Sequence, residues 1–167
     1  MKYLFIFSIL FLNLNGITVA SPDKPQVLEL LEGRHWKLDK EALQSLGGDT
    51  NSILIEIAGD TALINYLRFR ALEALSLFPS ENTAVFLEQT ADKSFASLAR
   101  RGFEALHNGF NKTEPERVKK LAERLLQHRN AQVRISAARA VRSLDVPRFE
   151  SFIKSEKDSW VRKEALK

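Results

Sequence analysis

The stretch AQVRISAARAVRSLDVPRFESFIKSEKDSWVRKEAL, residues 131–166, decides the fold. Val133-Arg134-Ile135-Ser136-Ala137-Ala138-Arg139-Ala140-Val141 opens one unit, and Val161-Arg162-Lys163-Glu164-Ala165-Leu166 opens the next. Leu67-Arg68-Phe69-Arg70-Ala71-Leu72-Glu73-Ala74-Leu75 carries the same phrase upstream, and Leu98-Ala99-Arg100-Arg101-Gly102-Phe103-Glu104-Ala105-Leu106 a worn version of it. The copies follow one another at offsets of 31, 35 and 28 residues. A period of this length marks a stacked-repeat architecture, because one such unit cannot bury its apolar face alone.

The helix expected over 131–144 shows why the units stack. At 100° per residue, Val133, Ala137, Ala140, Val141 and Leu144 share one stripe about 100° wide. Ile135 falls almost opposite, beside Arg139 and Arg142. A helix resting on a single core rarely needs an apolar residue there, whereas one flanked by a preceding and a following repeat buries both sides. Alanine at 137, 138 and 140 lets those neighbours come close.

Outward from this stretch, the residue types predict a chain of helices. Asp158 caps Ser159–Lys167, whose Trp160, Val161 and Leu166 are expected to cover the end of the core. Asp145 caps a helix over 147–155, with Phe149, Phe152 and Ile153 inward, and Asn130 caps 131–144. Thr113-Glu114-Pro115-Glu116 reads as a capping box opening a helix to His128. A turn at 109–112 follows a helix over 93–110 with Phe95, Leu98, Gly102, Ala105 and Leu106 inward. Gly102 stands where other copies have Ala71 and Ala137; glycine there costs about 1 kcal/mol of helix propensity, so close approach of a neighbouring helix is the expected reason. Ser80 caps a helix over 81–90, and Pro79 closes one over 63–78. The run Ile53-Leu54-Ile55 with Ile57 passes for a strand by β-branching, but it has no second strand to pair with and reads as helix. Asp39 caps a helix over 40–46 that Gly47-Gly48 ends. Residues 21–38 read as a linker, a brief helix stopped by Gly33, and a loop with Trp36 turned inward.

Residues 1–20 read as a secretory leader: Lys2, the apolar run LFIFSILFL over 4–12, and small residues ending at Ala20. The run is well short of the ~20 residues that span a bilayer, so no stable membrane span is expected after cleavage. The expected location is periplasmic or secreted. The chain has 25 basic and 21 acidic side chains, a mild excess that speaks against a dedicated nucleic-acid binder. It has no cysteine, so apolar packing has to supply its stability.

The repeated phrase resembles HEAT and HEAT-like repeats, of the kind also found in phycobilisome lyases. The resemblance covers roughly residues 63–167 and, more weakly, 39–59. It implies an all-α solenoid of stacked antiparallel helix pairs over 39–167, about 3.5–4 repeats, with pairs near 66–91, 97–128 and 131–155 and half a pair at the end. It further implies that Arg68, Arg134 and Arg162 bond structurally to neighbouring repeats, while Ala99 replaces the arginine in the copy beginning at Leu98. The implied role is a non-catalytic scaffold for another protein, with end-on contact to a partner or a second copy at the half repeat.

No catalytic constellation stands out. There is no G-x-S-x-G turn, no H-E-x-x-H and no phosphate-binding glycine loop. His35, His107 and His128 have no metal-ligand spacing, so neither metal nor other cofactor is expected. The basic residues remain. Arg100, Arg101, Arg139, Arg142 and Lys163 recur on successive leading helices and are the candidate partner-binding set, either a ridge for an acidic protein segment or polyanion, or a solvated face interleaved with Glu73, Glu104 and Glu164. A HEAT-like enzyme, such as a bilin lyase or a DNA-base glycosylase, is the remaining alternative, and the leader argues against its cytosolic substrates.

Overall fold

The computed structural model describes residues 22–93 and 95–167; the leader expected over 1–20 lies outside them. Among the described residues the chain forms ten helices and no strand: α1 (Lys24–Leu31), α2 (Lys40–Ser45), α3 (Thr50–Gly59), α4 (Asn65–Leu75), α5 (Glu81–Lys93), α6 (Ala96–Phe110), α7 (Pro115–Leu125), α8 (Ala131–Leu144), α9 (Val146–Ser155) and α10 (Ser159–Ala165).

Short polar side chains start most of them. Asp39, Asn130, Asp145 and Asp158 each accept backbone N–H groups in the first turn, satisfying donors that a helix start leaves free. At α1 the exchange is reciprocal: the Asp23 carboxylate accepts from the Gln26 N–H at 2.9 Å, and the Gln26 side chain accepts from the Asp23 N–H at 3.1 Å. Gly33 and Gly47 follow α1 and α2 with φ of 97° and 102°, a left-handed conformation that favours glycine. The β-branched run is helical in α3, with Leu54 and Ile57 fully buried.

Several local expectations are corrected. The capping box before α7 does not form. Glu114, not Thr113, is the N-cap and makes no side-chain cap bond, while the Thr113 hydroxyl donates to the Phe110 carbonyl at 3.5 Å instead of accepting from the helix. α6 begins at Ala96, so Phe95 sits at its N-cap and is 51% exposed. The same helix ends at Phe110 as expected, so Gly109 belongs to the helix and the turn takes in 111–113 instead of 109–112. Val161 is buried, but Trp160 and Leu166 are exposed and do not cover the end of the core.

Helix packing follows a regular order. α3 packs on α4, α5 on α6 and α7 on α8; alternate helices also pack in sequence, α4 on α6, α6 on α8 and α8 on α10. α1 lies against α2, α3 and α4. The pair expected near 66–91 is not a packed pair: α4 and α5 scarcely approach one another, and α5 lies along α6 instead. Gly102 lets it do so, since a Cβ there would stand 3.0 Å from Thr90 Cγ2 and 3.2 Å from the Leu87 carbonyl oxygen. Ile135 is buried along with Val133 and Val141, so α8 is dry on two sides.

Gly109 faces a tighter contact. A Cβ there would lie 2.9 Å from the Ser76 carbonyl oxygen, a backbone atom that cannot swing aside. Gly109→Ala should therefore lower stability by about 1–3 kcal/mol of overpacking, despite about 1 kcal/mol of improved helix propensity. Gly48→Ala, with nothing within 4 Å, should be near neutral. Thermal denaturation of the two variants beside the parent chain checks this.

Candidate functional site

α4, α6 and α8 together line an open groove of about 370 Å³, with Glu73 from α4, Arg101, Glu104 and His107 from α6, and Ser136 and Arg139 from α8 among its walls. The repeat register explains how these side chains meet. Arg70, Arg101, Ser136 and Glu164 occupy equivalent positions, as do Glu73, Glu104, Arg139 and Lys167. The first set of one unit faces the second set of the unit before it. Thus the Ser136 hydroxyl donates to Glu104 at 2.7 Å, and Arg139 donates to the Glu164 carbonyl at 2.8 Å.

The five candidate residues do not gather into one free ridge. Arg100 pairs along its own helix with Glu104 at 3.1 Å. Arg139 and Arg142 turn to the end of α10: Arg139 donates twice to the Glu164 carbonyl, and Arg142 donates to the Leu166 carbonyl at 2.8 Å. These are among the carbonyls a helix end leaves unsatisfied, and cations suit the negative end of the helix dipole. Lys163 is exposed on α10. Only Arg101 and Arg139 share the groove, and Arg101 lies with its guanidinium carbon 5.0 Å from the centre of the Phe69 ring.

The motif arginines make inward bonds. Arg68 is buried and donates to the Ala58 carbonyl of α3 at 3.1 Å. Arg134 donates to Glu156 at 2.7 Å and to the His128 carbonyl at 2.9 Å, and Arg162 donates to the Glu156 carbonyl. Burial pushes the Glu156 carboxyl upward, but the Arg134 bond and the Asp158 N–H outweigh it and hold the group below the usual carboxylate range. Ala99, in the arginine slot of the worn copy, is fully buried.

Sequence reasoning missed two arginines. Arg70 donates to the Leu31 and Gly33 carbonyls at 2.6 and 3.0 Å and lies between the Trp36 and Tyr66 rings, at 5.1 and 4.6 Å. Arg117 bonds Glu81, Glu88 and Glu114 at once, and its bond depresses the Glu81 carboxyl. The spacing of Glu81 and Glu88, two turns apart on one helix face, was the available signal.

His107 is the odd group in the groove. Its Nε2 is buried with no hydrogen-bond partner, and its ring stacks on Phe103 at 6.4 Å. Desolvation lowers its pKa, with the Asn108 side chain opposing. His128 lies elsewhere, its Nδ1 accepting from the Asn130 N–H, and His35 sits in the loop before α2. Among the described residues no three His, Asp or Glu side chains gather to hold a metal ion. No protein-family model matches the chain, and no curated protein is similar to it.

Two outcomes follow from these environments. Because His107 is depressed when folded, the unfolded chain takes up its proton first. Its contribution is intact above the ordinary histidine pKa of about 6.5 and is lost as pH falls below it. The fall in thermal midpoint between pH 7 and 5 should thus be shallower in His107→Gln. Arg134→Ala leaves Glu156, whose side chain is only 9% exposed, without its charged partner and should cost about 2–3 kcal/mol at pH 7, read from urea denaturation. Glu156 is depressed when folded, so that loss should shrink as pH falls through and below the ordinary glutamate range.

Proposed function

We propose that the chain is an exported α-solenoid of HEAT-like two-helix repeats that binds another protein of the envelope or secreted fraction and performs no catalysis itself. The observation that carries the reading is the groove across α4, α6 and α8, the leading helices of three successive copies of the repeated phrase. The order of packing supports it, since each helix of the set α4, α6, α8 and α10 lies against the next. In a stack of repeats each unit touches its neighbours and a continuous surface results.

Side-chain ties between alternate helices support the same arrangement. Lys24 of α1 pairs with Glu56 and Asp60 at the end of α3. Arg117 and Arg124 of α7 pair with Glu81, Glu88 and Asp92 of α5, and Lys119 of α7 pairs with Asp145, the cap of α9. Mostly exposed pairs of this kind contribute little stability each, but they fix which helix lies beside which.

Export rests on the leader sequence alone. Among the described residues no helix is long and apolar enough to cross a membrane. The polyanion reading is weaker than the scaffold reading, because Arg100, Arg139 and Arg142 are committed to intramolecular partners. The exposure of Val146, Trp160 and Leu166 favours end-on contact with a partner or a second copy as a second reading.

A photo-crosslinker placed at Asn108, beside the groove, and carried by the mature chain tests the proposal in native envelope and secreted fractions. The scaffold reading expects a protein adduct at Asn108 that persists at high salt, and none from a crosslinker at Glu41. An adduct lost steeply with salt would favour a polyanion. Adducts of equal strength at both positions would overturn the groove as the binding face.

A further inference from the structure

Of the four side chains equivalent to one another in the repeat register, three are committed to the preceding element. Arg70 bonds the Leu31 and Gly33 carbonyls, Ser136 bonds Glu104, and the Glu164 carboxylate pairs with Arg139 at 3.7 Å. Arg101 is the exception. Among the described residues it forms no hydrogen bond and no ion pair; its guanidinium only stacks on Phe69. The residue that should face it from the unit before is Glu73, an exposed carboxylate that also lines the groove. The two do not come within ion-pair distance. One rung of the ladder is therefore open, and it is the rung at the groove.

The third observation is His107. Its buried, unpartnered Nε2 belongs to a wall of the same cavity. Buried polar atoms without a partner are few in folded proteins, and each calls for a physical reason. The His107 ring borders the cavity, so an occupant of the groove lies against the imidazole even though Nε2 itself is closed off.

The geometry points to an extended segment of a partner protein seated in this groove, with an acidic side chain on Arg101 and a basic side chain on Glu73, its backbone lying against the His107 ring. The charges of the walls select this occupant. A purely acidic segment would meet Glu73 and Glu104, and a purely basic one would meet Arg101 and Arg139, so a segment carrying one of each sign fits both ends. Neighbouring helix axes stand about 8–10 Å apart. Crossing from α4 to α8 thus takes about five or six extended residues at about 3.3 Å each. This inference rests on the scaffold reading and names the chemistry of its partner.

The test titrates an acetylated, amidated hexapeptide carrying one Glu and one Lys among alanines into the full chain, followed by NMR of the Arg101 Nε–H and the His107 ring. Both signals should move, and the peptide should bind more tightly than its all-alanine, two-Glu and two-Lys counterparts. Arg101→Gln and Glu73→Gln should each weaken binding about fivefold, the weight of one partly exposed ion pair, while Lys163→Gln changes nothing. Retained helical circular dichroism shows that the variants fold. Equal binding of all four peptides, or indifference to Arg101→Gln, would overturn the inference. A protein crosslinked at Asn108 together with such indifference would leave the scaffold reading intact and remove only this account of its partner. Selective peptide binding with no crosslinked protein would do the reverse.

Discussion

α6 has to be dry on more sides than a surface helix usually is. It packs against α4, α5, α7 and α8, and its buried residues Leu98, Ala99, Gly102, Phe103, Ala105, Leu106 and Phe110 sweep about 160° of its circumference, against about 100° for an ordinary apolar stripe. Large side chains over such an arc would hold the neighbours apart. Alanine and glycine at its flanks remove that obstacle, and Gly102 and Gly109 mark where the backbones of α5 and of the residues after α4 come nearest. What remains of the helix surface, from His107 round to Arg101, is polar and becomes one wall of the groove.

The same division of faces governs the charges. Where alternate helices meet away from the groove, Lys24, Arg117, Lys119 and Arg124 reach carboxylates on the neighbouring element. Toward the C-terminal helices, Arg134, Arg139, Arg142 and Arg162 close on Glu156 and on the terminal carbonyls of α10. These eight basic side chains are thereby committed to partners within the chain. The groove itself carries Glu73 and Glu104 against Arg101 and Arg139, a nearly balanced charge, with Arg101 and Glu73 as its uncommitted pair. That is a surface suited to selecting among protein segments more than to drawing in polyanions.

Local chemistry was legible in the sequence. Asp39, Asn130, Asp145 and Asp158 cap helices because capping involves only the next three residues, and burial of Ile135 followed from its angle on the helix. Features set by distant residues were not. Arg117 binds Glu88 and Glu81 of α5, 29 and 36 residues upstream, which no pattern local to Arg117 announces. Gly109 looked like a turn because the Ser76 carbonyl that forbids a side chain there lies 33 residues upstream. One of the expected helix pairs was misjudged for the same reason: α5 joins α6 and not α4, whereas α7 does pack on α6 and α9 on α8. Of the candidate arginines, the phrase showed their periodicity but could not show that two of them finish the end of α10.

A row of helices differs from a closed bundle in how distance grows along it. The chain lacks cysteine, so single cysteine pairs introduced at exposed Glu73, Asn108, Ser143 and Lys163 give clean spin-label distances between α4, α6, α8 and α10. At about 8–10 Å per helix step, the separation from α4 should increase at each step and reach roughly 25–30 Å at α10. Separations that level off or shorten toward α10 would mean helices closing around one centre, and would contradict the account.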